Sequence, residues 1–138
     1  MKWYLKVLLN NYANFSGRAR RKEFWMFFLF NLIIIFALSF LLGFITDLID
    51  YELAPLFLGI YLLGVLIPYF GVAVRRLHDS GKSGGYIFVY FIPFIGGIWF
   101  LILMATEGDI GPNKYGPDPK KIDNSDEIDE IGKPLLEE

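Results

Sequence analysis

Three long runs without a formal charge constrain this chain more than any other feature. Phe24 to Ile45 and Leu53 to Val74 each hold 22 uncharged residues, and Tyr86 to Ala105 holds 20. A helix crossing the roughly 30 Å hydrocarbon core needs about 20 apolar residues at 1.5 Å each. Each run is therefore long enough to cross once and too short to cross twice. Composition excludes the alternative of three buried core helices. Of 138 residues, 54% are hydrophobic and only 20% charged, and a chain this small has too much surface per volume to hide such an excess from water. The excess faces lipid. The expectation is an all-α polytopic membrane protein with spans over 24–45, 53–74 and 86–105.

The stretch before the first span reads as a short amphipathic helix over 2–15. Lys2, Lys6, Asn10 and Asn14 recur every four residues on one stripe, opposite Trp3, Tyr4, Val7, Leu8, Tyr12 and Phe15. That pattern suits an interfacial helix with aromatics at headgroup depth, or one that packs on the protein's own bundle. Ser16-Gly17 is a turn signal, and Ser16 is also a candidate helix cap. Arg18, Arg20, Arg21 and Lys22 then crowd the start of the first span. Cations there oppose the helix macrodipole, so membrane topology and lipid phosphates explain them better than helix stability does.

The formal net charge of −2 says less than its distribution. Residues 1–23 carry six Lys/Arg, the break 46–52 carries none, and the break 75–85 carries Arg75, Arg76 and Lys82. The positive-inside rule puts the N-terminus and the second break in the cytoplasm and the first break outside. A third crossing would then carry the C-terminus outside as well. Lys114, Lys120 and Lys121 are mild contrary signals. Gly108 to Pro119 is rich in Gly and Pro and favours turns. The integral membrane domain is thus expected over 1–119, followed by an acidic, disordered tail over 120–138.

Candidate chemistry is sparse. The absence of Cys and the single His exclude disulfides, thiolate catalysis and multi-histidine metal sites. Ser80-Gly81-Lys82-Ser83 lacks the upstream glycine of a phosphate-binding loop, where Arg76 stands instead. His78-Asp79 is a weak dyad, because adjacent helical residues do not face each other; Asp79 is better placed to pair with Arg75 or Arg76. Asp123 to Glu130 carries Ile128 where a calcium loop needs glycine. No catalytic residue, metal ligand, cofactor or nucleic-acid contact is expected. Within the membrane, Ser39 with Gly43 and Gly64 with Gly71 are candidates for close helix approach. Pro68 frees the Gly64 carbonyl and Pro93 that of Val89. Asn31 is expected to make an intramembrane polar contact, donating to the Gly64 carbonyl, Tyr69 or Tyr90.

Four stretches, read together, carry a resemblance. They are Trp3-Tyr4-Leu5-Lys6-Val7, the run Phe15-Ser16-Gly17-Arg18-Ala19-Arg20-Arg21-Lys22-Glu23-Phe24-Trp25, then Arg75-Arg76-Leu77-His78-Asp79, and Asn113-Lys114-Tyr115-Gly116-Pro117-Asp118-Pro119. In this order and spacing the chain, from about Met1 to Pro119, resembles the domain of unknown function 805 family, the YhaH-like bacterial inner-membrane proteins. The resemblance implies a multi-pass inner-membrane protein with no established activity, and it carries no catalytic residue to transfer. The functional expectation is a non-enzymatic protein. Arg18, Arg20, Arg21, Lys22, Arg75, Arg76 and Lys82 would form one cytoplasmic basic rim that binds anionic phospholipid, a partner membrane protein or a second copy. The alternatives are a small oligomeric transporter or channel component and, less favoured, an interfacial enzyme using His78.

Overall fold

A computed structural model describes residues 1–45 and 54–121. Among these residues the regular structure is helical, apart from one isolated antiparallel bridge between Asn113 and Gly116. α1 (Lys2–Leu5) runs on as a π-helical stretch, Lys6–Asn10. α2 spans Arg21–Ile45 and α3 spans Ala54–Asp79. A 3-10 helix, Gly84–Phe91, leads into α4, Gly96–Ala105. The expected outer break at 46–52 and the tail from residue 122 lie outside the described residues.

α2 and α3 are long and apolar enough to cross a membrane. At 1.5 Å per residue the 25 residues of α2 reach about 37 Å. Their outer faces are bare: Phe36, Phe40 and Phe44, one helical stripe, are 70%, 79% and 78% exposed. A soluble helix would hide that stripe; a lipid-solvated one has no reason to. The buried core instead gathers at one end. Phe24 and Phe27 from the start of α2, Val72, Ala73 and Leu77 from the end of α3, and Phe100, Leu103 and Met104 from α4 pack there with Tyr4, Val7 and Ala19. Among the described residues, apolar burial is concentrated at the end where the charged stretches 18–23 and 75–79 lie.

The N-terminal helix is shorter than the expected 2–15 and packs inward. Asn11 ends it, its side-chain amide donating to the Lys6 carbonyl at 3.1 Å and competing with further helical turns. Tyr4 and Val7 are buried, and Tyr4 stacks on Phe27 at 5.4 Å and against Phe30 at 5.5 Å. The helix is therefore docked on the protein's own bundle. Ser16 caps nothing, since α2 starts five residues later; Gly17, at φ 81°, makes the turn.

The third apolar run departs from the expected single span. It folds as a hairpin, with the 3-10 helix descending and α4 returning. Pro93 breaks the run, and Ile92 N–H takes the Val89 carbonyl that Pro93 cannot reach, at 3.0 Å. Phe94 adopts φ 68°, a left-handed conformation that is an outlier for a bulky residue. Gly96 closes the turn: a Cβ there would come within 2.3 Å of the Val89 carbonyl oxygen. Neither arm alone reaches 20 residues. The chain leaving α4 is consequently at the same end as the start of α2 and the end of α3, not at the far end expected for a third crossing.

Intramembrane polar groups pair differently from expectation. Asn31 does bond across helices, but as an acceptor: the Tyr61 hydroxyl donates to its Oδ1 at 2.6 Å, while its amide donates to Phe27 O of its own helix at 2.7 Å. The Gly64 carbonyl freed by Pro68 receives the Tyr12 hydroxyl at 2.7 Å. Gly71 meets the Asn14 backbone rather than a helix, and a Cβ at Gly43 or Gly64 would touch nothing within 4 Å. The small residues thus serve no close helix crossing among the described residues.

Candidate functional site

The site begins with Arg18, held in the linker between Gly17 and α2. Ala19 N–H donates to Arg75 O at 3.0 Å, which pins this linker to α3. Arg18 is then aimed at the end of α3 and the chain beyond α4. Its Nε donates to Asp79 Oδ1 at 2.9 Å, its Nη1 to Gly111 O at 2.6 Å, and its Nη2 to Asp109 O. Arg76, one turn before Asp79, completes the cluster. Its Nη1 pairs with Asp79 Oδ2, its Nε donates to Met104 O at 3.1 Å, and its Nη2 donates to Thr106 O. The Asp79 carboxylate thus sits between two guanidinium groups, and all three residues are buried. Gly108 has to be glycine, because a Cβ would lie 1.9 Å from Asp79 Oδ2. Asp109 N–H donates to Asp79 O at 2.7 Å, so Asp79 holds the returning chain with backbone as well as side chain.

A compact knot follows. Asn113 and Gly116 exchange backbone hydrogen bonds at 3.0 Å each, and the Asn113 amide donates to His78 O at 2.9 Å. His78 lies flat on Tyr115, with centroids 3.8 Å apart at 5°, and its Nδ1 donates to Gly17 O at 3.2 Å. Asp118 accepts from the N–H groups of Gly111 and Lys120 at 3.1 and 2.9 Å, and these bonds hold its carboxyl below the usual range. Among the described residues, the contacts of the His78 ring are this stacking on Tyr115 and the bond to Gly17.

The seven expected rim cations do not form one rim. Arg18, Arg75 and Arg76 are buried. Arg75 pairs with Glu23 at 2.6 Å through Nη1, while its buried Nε and Nη2 lack an acceptor. The physical reason is desolvation: a buried cation must be matched by carboxylates and carbonyls; Asp79 and the backbone of 104–116 match Arg18 and Arg76, while Glu23 matches Arg75 only in part. Arg20 lies over the Trp3 ring at 5.5 Å. Lys82 is half-buried in the turn after α3. Arg21 and Lys22 are exposed. Arg21 pairs with Glu107 at 2.8 Å, as does Lys120 at 3.2 Å, and the two cations depress the Glu107 carboxyl. Arg20, Arg21, Lys22 and Lys120 surround a cavity of about 220 Å³, floored by Asp79 and Gly108. Four cationic residues line it against two carboxylates, Asp79, already bound by two arginines, and Glu107, shared by Arg21 and Lys120, a balance that favours an anion. Among the described residues no group of three or more acidic, His or Cys side chains is placed to hold a metal.

Sequence reasoning found the Arg76–Asp79 pair but missed Glu23, Lys120 and the Gly108 contact. Glu23 lies in the second quoted stretch, whereas Gly108 and Lys120 lie outside all four.

Comparison with known proteins agrees with this membrane-embedded design. A family model described as "Protein of unknown function (DUF805)" matches residues 12–117. "Inner membrane protein YhaI" of Escherichia coli (strain K12) is 46% identical over 120 residues, covering 87% of this chain and 97% of that protein. "Inner membrane protein YhaH" of the same organism is 42% identical over 123 residues, covering 87% and 98%. "Uncharacterized protein YiiR", also of that organism, is 26% identical over 137 residues, covering 79% and 88%. No solved structure matches the chain.

Proposed function

This chain belongs to the DUF805 family, and we propose that it is a non-enzymatic inner-membrane protein that binds anionic phospholipid through the pocket formed by Arg20, Arg21, Lys22 and Lys120. The carrying observation is the convergence of four cationic residues on one cavity at the start of α2. Each cation near an anionic leaflet contributes about 1 kcal/mol, and the Arg21 guanidinium can fork onto a phosphate once Glu107 is displaced.

The reading includes a topology in which both described ends are cytoplasmic and the hairpin Gly84–Ala105 enters the bilayer and returns. Charge supports it. Every Lys or Arg in 1–45 and 54–121 belongs to the stretches 1–22, 75–82 or 114–121. With the C-terminal stretch on the cytoplasmic side, Lys114, Lys120 and Lys121 no longer oppose the positive-inside rule.

Native mass spectrometry of the full chain with phosphatidylglycerol and phosphatidylcholine tests the binding. Lys120→Glu reverses one pocket charge without touching the N-terminal cluster that orients the protein. The expected result is preferential retention of phosphatidylglycerol and its loss in the variant. Equal retention of the two lipids would leave the cations as topology determinants alone.

A further inference from the structure

Below the charged end, α3 is the floor of a groove walled by α2 on one side and the hairpin on the other. It has two lobes. One, of about 390 Å³, lies between α2 and α3, beside Phe28 and Val65. The other, of about 310 Å³, lies between α3 and the hairpin, beside Ile87 and Phe91. Leu66 and Tyr69 line both lobes and divide them. Toward the charged end the two walls meet: Phe24 packs against Phe100 at 6.3 Å, and directly beyond them Arg21 bridges to Glu107. The basic pocket lies beyond this contact, and the two apolar lobes lie on its other side.

We infer that the two lobes hold the two acyl chains of a single diacyl glycerophospholipid whose anionic headgroup occupies the basic pocket; the headgroup half rests on the proposed function. Polarity runs the right way, from four cations at the basic pocket to linings of Leu, Val, Ile and aromatic carbon. The lengthwise fit is also consistent. Phe28 lies seven residues beyond Arg21, about 10 Å deeper along α2, which is where an acyl chain starts beneath its glycerol.

The test uses the full chain in detergent, probed by native mass spectrometry with dioleoyl phosphatidylglycerol, its single-chain lyso form, and dioleoyl phosphatidylcholine. Two chains in two lobes predict retention of the diacyl over the lyso lipid by about tenfold, equivalent to about 1.4 kcal/mol. Leu66→Trp, which intrudes on both lobes, should remove that advantage while leaving lyso-phosphatidylglycerol bound. Leu66→Phe is the smaller step if the tryptophan variant does not insert. Equal retention of diacyl and lyso lipid by the wild type overturns the inference and leaves the headgroup site standing. Equal retention of phosphatidylglycerol and phosphatidylcholine, with the diacyl advantage intact, overturns the headgroup site and leaves the two-chain groove. If Leu66→Trp changes the oligomeric mass but not the lipid count, the groove belongs to a second copy and the inference fails.

Discussion

Arg18, Arg75 and Arg76 carry the same charge and are all buried, yet they differ in how completely they are used. Arg18 and Arg76 each engage Nε and both Nη groups, whereas Arg75 engages only Nη1. A lysine supplies charge but not the planar fork. Arg18→Lys and Arg76→Lys should therefore lower the unfolding midpoint in detergent clearly, and Arg75→Lys much less. A similar loss at all three positions would mean that burial of the charge, not fork geometry, dominates. Asp79→Asn removes the only carboxylate shared by two buried guanidinium groups and should cost about 3–5 kcal/mol, the usual penalty for breaking a buried pair. Glu107→Gln, an exposed partner, should leave the same midpoint unchanged.

At the element scale, one bond between the turn after the N-terminal helix and α3 exists because of a proline. Tyr12 donates to the Gly64 carbonyl that Pro68 deprives of its helical donor. Tyr12→Phe should cost about 1–3 kcal/mol, the price of an orphaned acceptor. In a Pro68→Ala background the residue 68 N–H returns and the same change should cost far less; an unaltered cost would break the link between the two residues. The hairpin makes a second case. Gly96→Ala sets a methyl group against the Val89 carbonyl oxygen and should open the turn, which protease access at Phe91–Ile95 would report. The C-terminal knot depends on pH through Asp118. Backbone donors lower its folded pKa, so its contribution is present above its unfolded value of about 4 and is lost as pH falls through the lower folded value. Hydrogen exchange at the Gly111 and Lys120 amides should accelerate on acidification through that window. Asp118→Asn should show fast exchange at every pH.

For the whole molecule, the consequential feature is that the start of α2, the end of α3 and the chain after α4 share one end. The chain has no native cysteine, so single cysteines report topology without background. In intact cells, Lys114→Cys and Ser83→Cys should resist a membrane-impermeant thiol reagent, while Asp50→Cys should react. Labelling of Lys114→Cys together with Asp50→Cys would mean that the third apolar run crosses after all. The gathering of the core at this end follows from solvent. Along the membrane-embedded faces lipid is as apolar as Leu, so burial there gains little, and stability has to come from the end that meets water.

The apolar runs, read alone, determined that this is a helical membrane protein and located α2 and α3 to within a few residues, because a 20-residue uncharged stretch has few other fates. Helical spacing offered Asp79 two partners, Arg75 and Arg76, and the fold chose Arg76 and gave Arg75 to Glu23. The first helix read as interfacial and instead docks inward, since Tyr4 and Val7 look the same in sequence whether they face lipid headgroups or Phe27. Tertiary structure decided the rest. The run Tyr86–Ala105 passes every length and composition test for a crossing, and it turns back because Pro93, Phe94 and Gly96 fold it against itself and Arg18, Arg76 and Asp79 receive its far end. Seven cations that read as one rim divide into buried and exposed sets for the same reason. Arg18 and Arg76 go inside where carboxylates and carbonyls from distant parts of the chain converge on them, and Arg75 where Glu23 meets it, and those partners come together only once the chain has folded.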